Sequence, residues 1–97
     1  MIREFESSGT EDIFNGRDTK AARRCCPKAL WRIAARKLEQ LDSAGALTDL
    51  RVPPGNRLEA LAGRRAGQHS IRINDQYRIC FVWAVQGLRR VEIVDYH

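Results

Sequence analysis

The stretch QHSIRINDQYRICFVW, residues 68–83, decides the fold. His69, Ile71 and Ile73 alternate with Ser70 and Arg72. Asn74-Asp75 interrupts, and Tyr77, Ile79, Phe81 and Trp83 then alternate with Arg78, Cys80 and Val82. A period of two belongs to strands whose two faces meet different surroundings. An Asn-Asp pair between two such runs is turn chemistry. The segment therefore predicts a β-hairpin. Downstream, Gln86-Gly87 turns the chain again, and Val91, Ile93 and Asp95 share one face of a last strand. Upstream, a short strand is expected around 57–61, followed by a turn at 63–67.

Before residue 57 the period changes. PPGN, residues 53–56, is a strong breaker. Residues 46–50 predict one short helical turn. Leu30, Ala34, Leu38 and Leu41 recur at spacings of four, four and three, which is one apolar helix face, with Trp31 and Ile33 at its margins. Pro27 suits that helix's first turn, and 42–45 ends it. Residues 17–28 carry Arg17, Lys20, Arg23, Arg24 and Lys28 against Asp18 alone. Their composition predicts a loop, disordered in the isolated protein. Thr10 is expected to cap a brief helix over 11–14 that Gly16 stops. Residues 2–6 alternate loosely and predict a first strand. The order gives an α+β domain over 1–97, with an N-terminal strand and two helices packed on a mainly antiparallel sheet.

The charge balance narrows the class of partner. The chain has 97 residues and a formal charge of +5, and only three of its seventeen cations, Lys20, Lys28 and Lys37, are lysine. Arginine offers a planar fork that binds phosphate through two bonds. The excess fits either a polyanionic partner or a solvated cationic surface. No apolar run approaches the roughly 18 residues of a membrane span, and the N-terminal MIREFESS has no apolar signal region. The cysteines are odd in number, and Cys25 and Cys26 are adjacent. Without a CxxC or Cys/His spacing they predict a reducing cytoplasm instead of disulfides or a metal site, with Cys80 in the core.

The candidate chemistry lies in the second half. Arg57, Arg64, Arg65, Arg72 and Arg78 are candidate phosphate binders, with Glu59 and Asp75 the few acids among them. The last strand stops at Asp95-Tyr96-His97, which brings acid–base groups to the sheet edge. RNA cleavage by its own 2′-OH needs a base at that hydroxyl, cations for the charge growing at phosphorus, and an acid for the leaving 5′-oxygen. It needs no metal, and no acidic cluster is present to hold one. The alternative is that Tyr96 packs at an edge and His97 is merely solvated. His69 is expected to be a satisfied structural histidine, and Trp31 and Trp83 core residues.

Three stretches together resemble a known family. PPGNRLEAL (53–61), RAGQHSIRINDQYRICF (65–81) and VEIVDYH (91–97), with the opening MIREF, are similar to HigB-type toxins of the RelE superfamily over essentially the whole chain. The resemblance implies a microbial-ribonuclease-like fold with a curved sheet. It also implies a ribosome-dependent endoribonuclease that cuts mRNA without metal or cofactor, and a cognate HigA-like helix-turn-helix antitoxin that represses the shared operator DNA. By position, Arg78 resembles the family's scissile-phosphate arginine. Asp95, Tyr96 and His97 resemble its terminal catalytic group, with His97 for proton transfer and Tyr96 for positioning or stacking. Some HigB toxins carry a His, and a Lys soon after, where this chain has Glu59 and Ala62. Glu59 is then either a base or a surface partner of Arg57 or Arg72. That departure keeps open a non-catalytic RNA- or ribosome-binding protein on the same fold.

Overall fold

Residues 1–96 of the chain are described by a computed structural model. The predicted apolar face holds: helix Trp31–Ser43 buries Ala34, Leu38 and Leu41 completely. A 3₁₀ turn, Lys28–Leu30, leads into it, with Pro27 just before the turn. Trp31 packs against the core and donates its indole N–H to the Cys26 carbonyl at 3.0 Å.

The hairpin at 68–83 is also present. Strands β1 (Glu59–Ala60), β2 (His69–Arg72), β3 (Tyr77–Ala84) and β4 (Gly87–Asp95) form one antiparallel meander in that order. Ser70 faces Cys80, and Arg72 faces Arg78. Cys80 in turn faces Glu92, and Arg78 faces Val94. These residues therefore share the outer face of the sheet. Ile71, Ile79, Phe81 and Ile93 share the other face and join the core under the helices. The register shifts by one between Cys80 and Val82, where β4 supplies an extra residue and Arg90 takes φ 54. This bulge keeps both Val91 and Leu88 on the core side despite their three-residue spacing.

Three features depart from the sequence reading. Residues 2–6 are not a full strand: Ile2 and Phe5 make isolated parallel bridges to Leu88 and Val91. The segment lies along the bulged stretch of β4, so its ladder cannot run continuously, and Asp42 ties it to the helix layer by accepting from Ile2 N at 2.8 Å. The first helix, α1, spans Ser8–Phe14 and is capped by Ser7, not Thr10. Thr10 sits inside it, fully buried, and its Oγ1 accepts the backbone N–H of Ile93 at 3.0 Å. It thus satisfies a donor on the edge of β4 that no strand reaches.

The basic stretch is the third correction. Instead of a loop, it contains helix α2, Lys20–Cys25, capped by Thr19. Counting Trp31–Ser43 as α3, three helices cover the sheet, not two. The α1–α2 contact is built from small residues, so no apolar period announced it. Ala22 is fully buried, and a Cβ on Gly9 would lie 2.5 Å from the Ala21 carbonyl and 2.9 Å from the Cys25 Cβ. Gly9→Ala is expected to lower stability by about 1–3 kcal/mol, because a backbone carbonyl cannot rotate aside. Urea unfolding tests this: a midpoint equal to that of the unmutated protein would mean the two helices separate at no cost.

Candidate functional site: an arginine-lined cavity

One cavity, about 260 Å³, opens where β1, the β2–β3 turn and the end of β4 converge. Arg57, Glu59, Arg72, Asn74, Asp75, Arg78 and Tyr96 line it. Five of these are sequence candidates, brought together from four segments. Arg72 and Arg78 meet because they are cross-strand partners on the outer face. Tyr96 joins them because its backbone N–H donates to the Gln76 carbonyl at 2.7 Å, folding the tail against the hairpin turn.

Arg78 is the most constrained cation, at 9% exposure. Its Nε donates to Ser70 Oγ at 2.7 Å, and its Nη2 to the Arg57 carbonyl at 2.6 Å. A longer bond, 3.4 Å, runs from Nη2 to the Ser70 carbonyl, and Glu59 Oε1 lies 4.0 Å away. Arg72 pairs with the exposed Asp75. Arg57 has no ion-pair partner among the described residues. Three guanidinium groups thus meet two carboxylates, and the cavity keeps a positive excess suited to an anion.

The Arg57 backbone is left-handed, φ 47 and ψ 57. The residue before it shows how this strained turn is held. Asn56 is fully buried and donates its amide to the Leu50 carbonyl and to Gln40 Oε1, both at 3.1 Å. Its Oδ1 accepts from Lys37 Nζ at 2.5 Å. Burial, and then the charges of Arg36 and Arg72, hold the Lys37 ammonium below the usual lysine range. Sequence reasoning missed Asn56, Lys37 and Ser70. The one available signal was a polar Asn after Pro-Pro-Gly, which marks a turn but not a buried anchor.

Other candidates fall outside the cavity. Asp95 is on the helix-covered face: it stands opposite Tyr77 and accepts from Gln76 Nε2 at 3.1 Å. Burial, with the Asp95 charge second, pushes the Tyr77 phenol up. Asp95 lines a different depression with Ser7, Ser8, Arg24 and Cys25. Arg65 lies along the outer face, 3.6 Å from Glu92 and hydrogen-bonded to Gln68. Arg64 is exposed on the 3₁₀ turn Gly63–Arg65. His97 lies outside the described residues. His69 is not satisfied as expected: its Nδ1 is buried with no hydrogen-bond partner among the described residues, and its ring stacks on Phe81. Cys80 is buried as expected, and burial pushes its thiol up. Hydrogen bonding with Cys26 pulls the Cys25 thiol down to about 7 and holds that of Cys26 up. No described helix is long and apolar enough to cross a membrane.

Comparison with known proteins gives the family and the fold. Residues 3–97 match the model of the HigB-like toxin family, described as the RelE-like toxin of type II toxin–antitoxin system HigB. The chain is 42% identical over 97 residues to toxin HigB-1 of Vibrio cholerae serotype O1, covering 100% of this chain and 98% of that one. An uncharacterised protein of Haemophilus influenzae is 40% identical over 55 residues, 57% of this chain and 54% of its own. Among solved structures, the YoeB–YefM complex from Staphylococcus aureus contains a chain that superposes with a TM-score of 0.60 at 18% identity, over 100% of this chain and 98% of that chain. That last likeness is one of fold, and it bears out the helices packed on an antiparallel sheet. The chain belongs to the HigB-like toxin family, the RelE-like toxins of type II toxin–antitoxin systems.

Proposed function

We propose that this toxin is a metal-independent endoribonuclease that cuts mRNA on the ribosome. The observation that carries the reading is the meeting of Arg57, Arg72 and Arg78 with Glu59 and Tyr96 in one cavity. In the proposed reaction the 2′-oxygen attacks phosphorus and its proton passes to a base. The P–O5′ bond breaks, leaving a 2′,3′-cyclic phosphate, and an acid protonates the departing 5′-oxygen. Glu59 is the base candidate inside the cavity. Tyr96 and His97 are the acid candidates at the tail, and Tyr96, 41% exposed, also offers a ring for a splayed base. Arg78, with Arg57 and Arg72, faces the charge that grows on the non-bridging oxygens. Arg64 and Arg65 are proposed to meet the RNA backbone away from the cut, and Asp95 to support the tail.

The proposed partner is a helix-turn-helix antitoxin, and the proposed compartment is the cytoplasm, where ribosomes and mRNA are found. Primer extension on a defined mRNA, with and without programmed ribosomes, tests the reading. New 5′ ends that require both toxin and ribosomes are expected. Glu59, where some relatives have His, favours a second reading: a ribosome-binding growth inhibitor without chemistry. It gains if a folded, ribosome-bound toxin produces no new ends.

A further inference from the structure

Arg78 is gripped along one edge only. Its Nε and Nη2 are held by Ser70 Oγ, the Arg57 carbonyl and the Ser70 carbonyl. Nη1 has no acceptor among the described residues. The guanidinium is planar and rigid, so fixing two of its nitrogens fixes the direction of the third. Ser70 is fully buried in β2, between Glu59 on β1 and Cys80 on β3, and does not line the cavity. A hydroxyl there, where an apolar residue would pack as well, has one visible contact partner in the site, the Arg78 Nε.

We infer that Ser70 is a positioning residue for RNA cleavage, acting through Arg78 by locking its guanidinium with Nη1 turned to the scissile phosphate. This rests on the reading of the cavity as the cleavage site. Removing the hydroxyl leaves the Arg78 charge in place but held at Nη2 alone, so the guanidinium can swing about that nitrogen. A misplacement of about 1 Å costs about 10²-fold in rate, so the loss appears in the chemical step and not in RNA binding.

The test compares Ser70→Ala, Arg78→Ala and the double variant in single-turnover cleavage, with the ¹⁵Nε signal of Arg78 recorded for the toxin alone. Ser70→Ala is expected to cut about 10–10²-fold more slowly at unchanged KM. The double variant is expected to be no slower than Arg78→Ala, because Ser70 has nothing left to act through. The Nε–H proton is expected to exchange slowly in the unmutated toxin and fast in Ser70→Ala. Wild-type cleavage by Ser70→Ala, or losses that multiply in the double variant, would overturn the inference. If Ser70→Ala does not fold, Ser70→Cys fills the site with a somewhat larger and poorer acceptor, and an intermediate loss is expected. Wild-type rate and exchange in that variant also overturn it. Should the unmutated toxin cut no RNA, the proposed function falls. The exchange of Nε–H then judges the grip alone, its retention in Ser70→Ala counting against it.

Discussion

Arg78→Ala is expected to lower ribosome-dependent cleavage by about 10²–10³-fold, the usual cost of deleting one preorganised charge donor. The geometry explains why so much falls on one side chain. Arg57 and Arg72 also line the cavity, but Arg57 is exposed and Arg72 is shared with Asp75. Only Arg78 is both buried and fixed at two nitrogens. A cation already in place requires no reorganisation as charge develops on the phosphate. Arg78→Lys keeps the charge but loses the fork, so it is expected to rescue only part of the rate. The deletion leaves Ser70 Oγ and the Arg57 carbonyl without their donor. Removing the Arg78 side chain opens space between them and the cavity that water can enter, so the stability cost is expected to be about 1–3 kcal/mol. Thermal unfolding by circular dichroism would show a folded protein. Arg32→Ala, exposed on α3 and outside the cavity, is the comparison variant and is expected to cut within a few-fold of the unmutated rate. Full cleavage by a folded Arg78→Ala toxin would remove Arg78 from the mechanism.

The clustering behind this prediction was legible because strand parity is legible. Arg72 and Arg78 stand three residues either side of the hairpin turn's centre, which places them opposite one another on one face. The same parity separates Asp95 from them. Alternation puts Asp95 with Val91 and Ile93, on the core side, while its neighbours Val94 and Tyr96 fall with Arg78. Adjacency in sequence made Asp95-Tyr96-His97 look like one group, but a pleated strand divides adjacent residues between its faces. The α3 face was equally legible, because large apolar side chains at helical spacing leave few alternatives.

What stayed hidden was packing without large side chains. Gly9, Ala21 and Ala22 join α1 to α2 with nothing that a hydrophobic period would register, and the surrounding arginines gave the stretch the composition of a loop. The bulge at Arg90 was hidden too, since it needs no glycine here and shows only as Leu88 and Val91 falling out of step. Buried polar supports such as Asn56 and Ser70 carry no local pattern, because what they hold lies 4 to 19 positions away in the chain.

The second large effect is on stability. Phe81→Ala is expected to destabilise the toxin by about 3–5 kcal/mol, from lost burial and the cavity left behind. Phe81 is fully buried and among the largest core side chains. It lies on β3 at the register shift, between Cys80 and Val82, where β4 doubles its residues. Repacking from β4 is therefore limited, because Val91 is already pinned by backbone bonds to Glu4 and Glu6. On the other side, the His69 ring would lose the surface it stacks on, while its buried Nδ1 still lacks a partner among the described residues. Collapse into the space would bring apolar groups toward that nitrogen, and opening it would admit water. Neither recovers the lost contacts. A domain of this size has roughly 5–10 kcal/mol to lose, and urea m-values start near 1 kcal/mol/M. At an m-value near 1 kcal/mol/M the urea midpoint is then expected to fall by about 3–5 M at constant m, enough to leave a large unfolded fraction at 37 °C. Arg78 and Cys80 flank the same strand on its outer face, so the residual cleavage of Phe81→Ala should track the folded fraction and recover on cooling toward the temperature of maximum stability. A midpoint shift under about 1 M would show that the sheet and helices repack across the gap, and that the bulge is softer than its hydrogen bonds imply.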